Sequence, residues 1–157
     1  MPDLADLCLV VLVFFYSLNL APMMFESFTS DRTWASHPPE SFHMFVGPHG
    51  HKTAHYWKVV SPIALLSFVV SLFLNRHLFE REVRLSIAFA VYLAIHASTM
   101  VYFVPEQERL TSNARSLSRD VLTGRVRRWM SLNYFRNIAG VLAFVFLMLA
   151  VLVPSAP

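Results

Sequence analysis

The sequence predicts an all-α fold, an integral membrane four-helix bundle, and three observations support this prediction. The chain has 157 residues, of which 55% are hydrophobic and only 15% are charged, whereas soluble domains carry about 25% charged residues. The apolar residues are gathered into four runs, each close to the ~20 residues that a helix needs to cross a membrane. Backbone polar groups in lipid must pair within the chain, so we expect these runs to be helices.

The four predicted spans belong to a single transmembrane domain that covers residues 1–157. Acidic Asp3 and Asp6 stand where a signal peptide carries basic residues, so we expect the first span to be retained. The spans cover residues 4–22, 56–74, 83–104 and 133–153.

The loops between these spans differ in charge. Loop 1, between the first two spans, is rich in histidine, and loop 3, between the last two, is basic and amphipathic. The short loop 2 and its flanks carry only Arg76, Arg81 and Arg84. This asymmetry predicts that loops 1 and 3 are cytoplasmic and that both termini lie outside, as in a bacterial inner membrane protein. Because the basic residues flank the spans, we interpret them as topology signals and expect no nucleic-acid partner.

Two further features predict that the side with loops 1 and 3 touches the lipid surface. Leu117, Val121 and Leu122 lie at helical spacing among arginines, which is typical of an interfacial helix in contact with headgroups. All three tryptophans of the chain also fall on this side, so we expect an aromatic belt there.

The polar residues of the spans lie at the ends that face loops 1 and 3, whereas the opposite halves are almost purely apolar. This distribution predicts a polar pocket that opens toward that side of the bundle. Its candidate residues are Ser17, Asn19, Glu26, His55, Lys58, His96, Ser98, Thr99, Glu106, Asn133, Arg136 and Asn137.

His96 is the most deeply placed ionisable residue of this set. It lies roughly eight residues before the end of the third span, about 12 Å inside the membrane boundary at 1.5 Å per residue. An ionisable group at that depth is costly and is usually functional. The alternative is a neutral histidine that hydrogen-bonds to Asn19 or Asn137 and joins two helices.

Arg136 follows Asn133 by about one turn in the fourth span. An inward-facing guanidinium would need Glu26 or Glu106 as its partner, because an unpaired charge inside a membrane is costly. The alternative is an arginine that reaches out to the headgroups.

Histidines and carboxylates near the predicted pocket suggest a metal site. His51 and His55 are four residues apart and would share one helical face if the second span begins early. With His96 and either Glu26 or Glu106, they would resemble the histidine and carboxylate sites of non-haem iron oxygenases, and iron or copper is the expected metal. The alternative is a solvated histidine-rich loop. No phosphate-binding glycine loop is present, so we expect no nucleotide cofactor.

Three stretches of the sequence are similar to one known family. They are IHASTMVYFVPEQERL, WMSLNYFRNIAGVLA and FFYSLNLAPMM. Together they resemble a family of small four-span membrane proteins that includes the anthrone oxygenases. Gln107 stands where that family more often has asparagine, and the histidine-rich loop 1 also departs from its pattern. The matching residues are Pro22, Thr99, Pro105, Glu106, Trp129, Asn133 and Arg136.

The resemblance implies a four-helix membrane bundle. It also implies that molecular oxygen oxidises an aromatic, polyketide-like substrate without a flavin or haem. Thr99 enters the set of expected catalytic residues through this resemblance.

Three classes of function are therefore considered. In a membrane-embedded oxygenase, a hydrophobic substrate would enter from the lipid bilayer, and His96 or His55 would remove a proton from it. Arg136, Asn133 and Asn137 would stabilise the resulting enolate or phenolate. The alternatives are a non-catalytic protein that binds a metal or a small ligand, and a structural subunit of a membrane complex or homo-oligomer.

Overall fold

The computed structural model describes residues 4–44 and 54–154, and within them it contains helices and turns but no strand. The α-helices are α1 (Leu4–Phe28), α2 (Ser30–Ser36), α3 (Ala54–Asn75), α4 (Phe79–Ser98), α5 (Val104–Ser112) and α6 (Arg119–Val151). A π-helical turn (Thr99–Phe103) joins α4 to α5, and short 3₁₀ helices cover Glu40–Met44 and Ala114–Ser116. The predicted all-α bundle is confirmed.

Four helical stretches are long and apolar enough to cross a membrane, as the sequence predicts. All four are longer than the predicted spans, and three of them continue well into loops 1 and 3. With 33 residues, α6 is about 50 Å long, which exceeds the ~30 Å of a hydrocarbon core. The four stretches are Leu4–Ser36, His55–Asn75, Phe79–Ser112 and Arg119–Val151.

The helices are arranged around the bundle in the order α1, α3, α4, α6, and α6 returns to pack against α1. Tyr16, Phe68 and Tyr92 lie at the centre, with ring centroids 5.1 to 5.9 Å apart. The Tyr16 hydroxyl donates to the Gly140 carbonyl and the Tyr92 hydroxyl to the Ser61 carbonyl, each at 2.8 Å. Buried tyrosines usually find such partners, and these bonds tie α1 to α6 and α4 to α3.

The first helix continues through Pro22, where the first span was expected to end. Proline has no N–H to pair with the carbonyl four residues earlier, which belongs to Leu18. The Tyr56 hydroxyl on α3 donates to that carbonyl at 2.5 Å. A neighbouring helix thus satisfies the acceptor that proline leaves free, as membrane helices require. The helix therefore carries Glu26 and Ser27 as helical residues.

An aromatic cluster closes the side of the bundle that faces loops 1 and 3. Trp34 stacks on Phe42 with centroids 5.0 Å apart and meets Trp129 edge-on at 5.1 Å. Trp129 donates from Nε1 to the Phe103 carbonyl at 3.1 Å. The predicted aromatic belt is wrong for Trp34 and Trp129, because both are buried in this cluster rather than turned toward headgroups.

Loop 3 is shorter than predicted, because α5 and α6 extend toward each other and leave only residues 113–118 between them. Leu122 is buried in the aromatic cluster, Leu117 packs against it, and Val121 is exposed. The amphipathic pattern thus marks the first turns of α6, and their contact with headgroups stays a prediction.

The opposite end of the bundle holds a buried arginine, so it is less apolar than the sequence indicated. Arg81 is 1% exposed and donates to Asp6 Oδ1 at 2.9 Å and to Asn75 Oδ1 at 2.8 Å. It also donates to the carbonyl of Val153. One side chain thus joins the ends of α1, α3, α4 and α6.

Candidate functional site

A network of four buried polar side chains joins α1, α2 and α6. Ser27 Oγ donates to Asp31 Oδ2 at 3.3 Å. Asn133 Nδ2 donates to Asp31 Oδ2 at 2.7 Å and to Ser27 Oγ at 2.9 Å. Asn137 Nδ2 donates to Ser27 Oγ at 2.5 Å. All four residues are less than 9% exposed, so these bonds form in a low dielectric, where they are strong.

The carboxylate of Asp31 sets the direction of every bond in this network. A carboxylate only accepts, so Ser27 and Asn133 must both donate to it. Once Ser27 has given its single hydrogen to Asp31, it can only accept from Asn137. The nitrogens of both amides therefore point into the network, and their oxygens point away from it.

Arg136 lies beside this network and faces α4. Its Nη1 donates to Thr99 Oγ1 at 3.1 Å, and its guanidinium carbon lies 4.3 Å from the centre of the Phe103 ring. Thr99 and Phe103 are the first and last residues of the π-helical turn, a feature that is frequent at functional sites. The guanidinium also interacts electrostatically with the carboxylates of Asp31 and Glu26.

The predicted pairing of Arg136 with Glu106 is wrong. Glu106 instead receives two hydrogen bonds from Arg125, at 2.8 Å from Nε and 2.7 Å from Nη2. The reason is the length of the helices: Glu106 lies on α5, beyond the predicted span, opposite the early turns of α6. Glu26, the other candidate, is half-buried and interacts with Arg136.

His96 is half-buried on α4. Its Nδ1 lies 3.0 Å from the carbonyl of Tyr92, and the two rings are 4.1 Å apart. Because a carbonyl only accepts, Nδ1 carries the hydrogen, and Nε2 holds the lone pair of the neutral ring. The alternative partners expected for His96 are engaged elsewhere: Asn19 bonds to Phe15 and Ser61, and Asn137 bonds to Ser27.

The proposed metal ligands are only partly described by the structure. His51 lies outside the described residues, and His55 is exposed at the start of α3. Glu106 is held by Arg125. Among residues 4–44 and 54–154, no group of three or more histidine, cysteine, aspartate or glutamate side chains could hold a metal ion. Iron or copper binding therefore stays a prediction.

A groove of about 240 Å³ runs between α1 and α6 and opens on the outer surface of the bundle. Its accessible surface is almost entirely apolar, and Ser27 and Asn137 are among the residues that line it. These two residues also belong to the buried network. The walls are formed by Met24, Phe28, Tyr134, Ile138, Val141 and Leu142.

Three buried polar atoms of α6 have no hydrogen-bond partner within the described part of the chain. They are the amide oxygens of Asn133 and Asn137 and Nε of Arg136. Buried polar atoms are nearly always paired with protein, water or ligand. All three lie within about one turn of α6, next to the buried network.

Ser27 and Asp31 are functional candidates that the sequence analysis missed. Hydropathy ended the first span at Pro22, which assigned both residues to loop 1. Their spacing could have indicated them: Ser27 and Asp31 are four residues apart, so they would share one face if the first helix continued. The Tyr56 bond that lets the helix pass Pro22 is a contact between helices, and sequence alone does not predict it.

Comparison of the chain with protein-family models, curated proteins and solved structures finds no match. The resemblance to the anthrone oxygenase family therefore stays a prediction.

Proposed function

We propose that this chain is a membrane-embedded, oxygenase-like protein that takes an aromatic or polyketide-like substrate from the lipid bilayer. One observation carries the proposal: a groove with an apolar surface lies between α1 and α6, beside the buried side chains of Ser27 and Asn137. Sites for small hydrophobic molecules are typically concave and apolar, with a few polar groups that fix orientation.

The proposed reaction converts an acidic methylene group and one oxygen molecule into a carbonyl group and one water. His96 lies on α4 and does not line the groove, so the reacting methylene would have to extend from the groove toward α4. There Nε2 of His96, which holds the lone pair of the ring, would take its proton. The carbanion adds oxygen and regains a proton to give a hydroperoxide, which loses water to leave the carbonyl. Arg136 and the second N–H of Asn137 would stabilise the enolate charge during this sequence, whereas both hydrogens of Asn133 Nδ2 are already donated to Ser27 and Asp31.

Metal dependence is a separate part of the proposal. His51 and His55 would supply ligands, and iron or copper would activate oxygen. Since the described residues do not assemble a ligand set, no step above requires a metal. Metal analysis of protein purified without a histidine tag tests this part. About one equivalent of iron or copper that is lost in His55→Ala would support it, and background metal would reject it.

Oxygen consumption by the reconstituted protein tests the reaction. The substrate is a tricyclic phenolic compound with an acidic methylene, and we expect uptake of one oxygen molecule per methylene oxidised. His96→Ala should lower the rate at least about 100-fold, as expected for loss of a general base. His77→Ala is the matched control, because His77 is exposed in loop 2. Full activity in His96→Ala would overturn the role of His96.

A non-catalytic ligand-binding protein is the second candidate. The Ser27 hydroxyl uses its donor and both acceptor positions within the network. A hydroxyl whose bonds are all used in this way suits static packing, so the groove could hold a molecule without reacting with it. Saturable binding without oxygen uptake would favour this candidate.

We also propose that loops 1 and 3 face the cytoplasm of a bacterial inner membrane. Two of the three arginines near loop 2 are paired internally. Arg81 is bound to Asp6, and Arg84 bonds to Glu80 at 3.1 Å and to the Leu149 carbonyl at 2.6 Å. Among the described residues, most arginines and lysines without an ion pair lie on the side with loops 1 and 3, which supports this orientation.

A further inference from the structure

An exposed arginine lies at one end of the groove between α1 and α6. Phe28 is the last residue of α1 that lines the groove, and Tyr134 is the first residue of α6 that does so. The guanidinium carbon of Arg32, on α2, lies 5.4 Å from the centre of the Phe28 ring, and its Nε donates to the Tyr134 hydroxyl at 3.4 Å. Because α1 runs toward loop 1 and α6 runs away from loop 3, Arg32 marks the end of the groove that faces these loops.

The charge of Arg32 is not neutralised by an ion pair within residues 4–44 and 54–154. The two acidic residues nearest to it in the sequence have other partners: Asp31 is buried and accepts from Asn133, and Glu26 interacts with Arg136. The only hydrogen bond of the Arg32 side chain within the same residues is the one from Nε. Both Nη groups are therefore available to an anion, and a guanidinium can bind a phosphate through two parallel hydrogen bonds.

The length of α1 places Arg32 at the level of the lipid headgroups. Asp6, the acidic residue of the first turn, lies about 33 Å from Phe28 along the helix axis, slightly more than the ~30 Å of a hydrocarbon core. Arg32 follows Phe28 on α2, beyond this boundary. The groove extends from there into the membrane, since its lining residues on α6 run from Tyr134 to Leu142, a length of about 12 Å.

The groove itself matches a lipid tail in polarity and direction. Its accessible surface is almost entirely apolar, and lipid tails are about as apolar as leucine side chains. Ile138, Val141 and Leu142 are exposed on the outer surface of the bundle, so a chain from the bilayer can reach them without passing between the helices. The groove follows the helices, and acyl chains run across the membrane in the same direction. A molecule with an anionic head and an apolar chain therefore fits both Arg32 and the groove.

We propose that the groove holds one chain of an anionic phospholipid, whose phosphate is bound by Arg32 and Tyr134. The Tyr134 hydroxyl accepts from Arg32 and keeps its own hydrogen, which donates to a phosphate oxygen. Arg127 is exposed and lies about two turns before Tyr134 on the same face of α6. Its charge favours an anionic headgroup over a zwitterionic one.

This proposal goes beyond the proposed function and does not require it. A substrate that entered the groove would displace the lipid chain, but lipid binding involves no reaction. Oxygen uptake can therefore be absent while the lipid binds, and the lipid site can be absent while oxygen is consumed.

Native mass spectrometry of the full chain in mild detergent measures the affinity for the first bound lipid. Phosphatidylglycerol and phosphatidylcholine with the same acyl chains are added in separate titrations. We expect phosphatidylglycerol to bind about fivefold tighter, the effect of about one arginine near an anionic headgroup. Equal affinities, or tighter binding of phosphatidylcholine, would overturn the proposal.

Three variants locate the site, and each replaced side chain is exposed, so the variants should fold. Arg32→Gln should remove the preference for phosphatidylglycerol. Arg76→Gln is the matched control, because the Arg76 guanidinium also lies over a phenylalanine ring, that of Phe73 at 4.8 Å, but near loop 2. It should keep the fivefold preference. Val141→Phe narrows the groove and should weaken binding of both lipids. An Arg32→Gln protein that keeps the preference would overturn the assignment of the headgroup site.

A phosphatidylglycerol that carries a diazirine in one acyl chain shows where the chain lies. Crosslinks confined to residues 24–28 and 134–142, and lost in Val141→Phe, would support the groove as its site. Crosslinks spread over lipid-facing residues such as Phe73 and Val101 would overturn it. No substrate is present in either measurement, so a failed proposal about the lipid is distinguished from a failed proposal about oxidation.

Discussion

Asn133 Nδ2 donates to Asp31 Oδ2 across 2.7 Å, although the two residues are 102 positions apart in the chain. This bond ties α6 to α2 and orients the amide oxygen of Asn133 away from the carboxylate. Ser27 in turn donates to Asp31 and accepts from Asn137. A single carboxylate thus orders the donors and acceptors of the whole network.

Replacing Asp31 should therefore destabilise the bundle. Asp31→Leu removes the acceptor of Ser27 and Asn133 and leaves their hydrogens unpaired, at a cost of about 3 kcal/mol. Thermal unfolding in mild detergent measures the change. Asp120→Leu is the control, since Asp120 is exposed in the first turn of α6 and should cost less than about 1 kcal/mol. Similar losses in the two variants would contradict the account of the network.

The close approach of α1 to α6 depends on Gly140. A Cβ at this position would lie 2.8 Å from Cε of Met23 and 3.2 Å from Cδ1 of Leu20. Gly140→Leu should therefore destabilise the protein by about 1 to 3 kcal/mol through overpacking. Gly124 has no atom within 4 Å of its Cβ position, so Gly124→Leu should stabilise α6 by about 0.5 to 1 kcal/mol. Midpoints of thermal unfolding are measured for both variants and for the wild type. If the two variants shifted the midpoint in the same direction, this account of the packing would be contradicted.

The buried Arg81 should matter far more than its exposed neighbour Arg76. Arg81→Met leaves the side chain of Asn75 and the carbonyl of Val153 without their donor, and the loss of a buried ion-pair partner costs about 3 to 5 kcal/mol. Arg76 is exposed and lies over the ring of Phe73 at 4.8 Å, so Arg76→Met should cost less than about 1 kcal/mol. The free energy of unfolding of both variants is measured by denaturation in the same detergent. An Arg81→Met protein as stable as the wild type would refute the joining role of Arg81.

The proposed orientation predicts which loops a membrane-impermeant maleimide can reach. In a Cys8→Ser background, Ser116→Cys between α5 and α6 should react only in inside-out membrane vesicles. His77→Cys in loop 2 should react only in right-side-out vesicles. The opposite pattern would place loops 1 and 3 outside the cell and reverse the positive-inside assignment.

Much of the fold could be predicted because hydropathy reports directly on burial in lipid. All four spans and the concentration of polar residues at one end follow from the order of residues along the chain. The exact helix ends did not follow, because α1 passes Pro22 with the help of Tyr56. The sequence contains both residues, but nothing in it indicates that one will satisfy the carbonyl that the other leaves free.

The candidate site was predicted only in part for the same reason. Arg136, Thr99, Asn133 and Asn137 stand out as polar residues within apolar spans, and the structure places all four at one end of the bundle. Their partners depend on contacts between helices. Glu106 is held by Arg125 rather than Arg136, since both lie on helix extensions beyond the predicted spans.

Photolabelling tests the central claim, that a hydrophobic molecule occupies the groove between α1 and α6. A naphthol that carries a diazirine is added to the protein in nanodiscs, irradiated, and located by mass spectrometry of peptides. The account predicts labelling confined to residues 24–28 and 134–142 that excess naphthol prevents. Labelling spread over lipid-facing residues such as Phe73 and Val101, unchanged by excess naphthol, would contradict it.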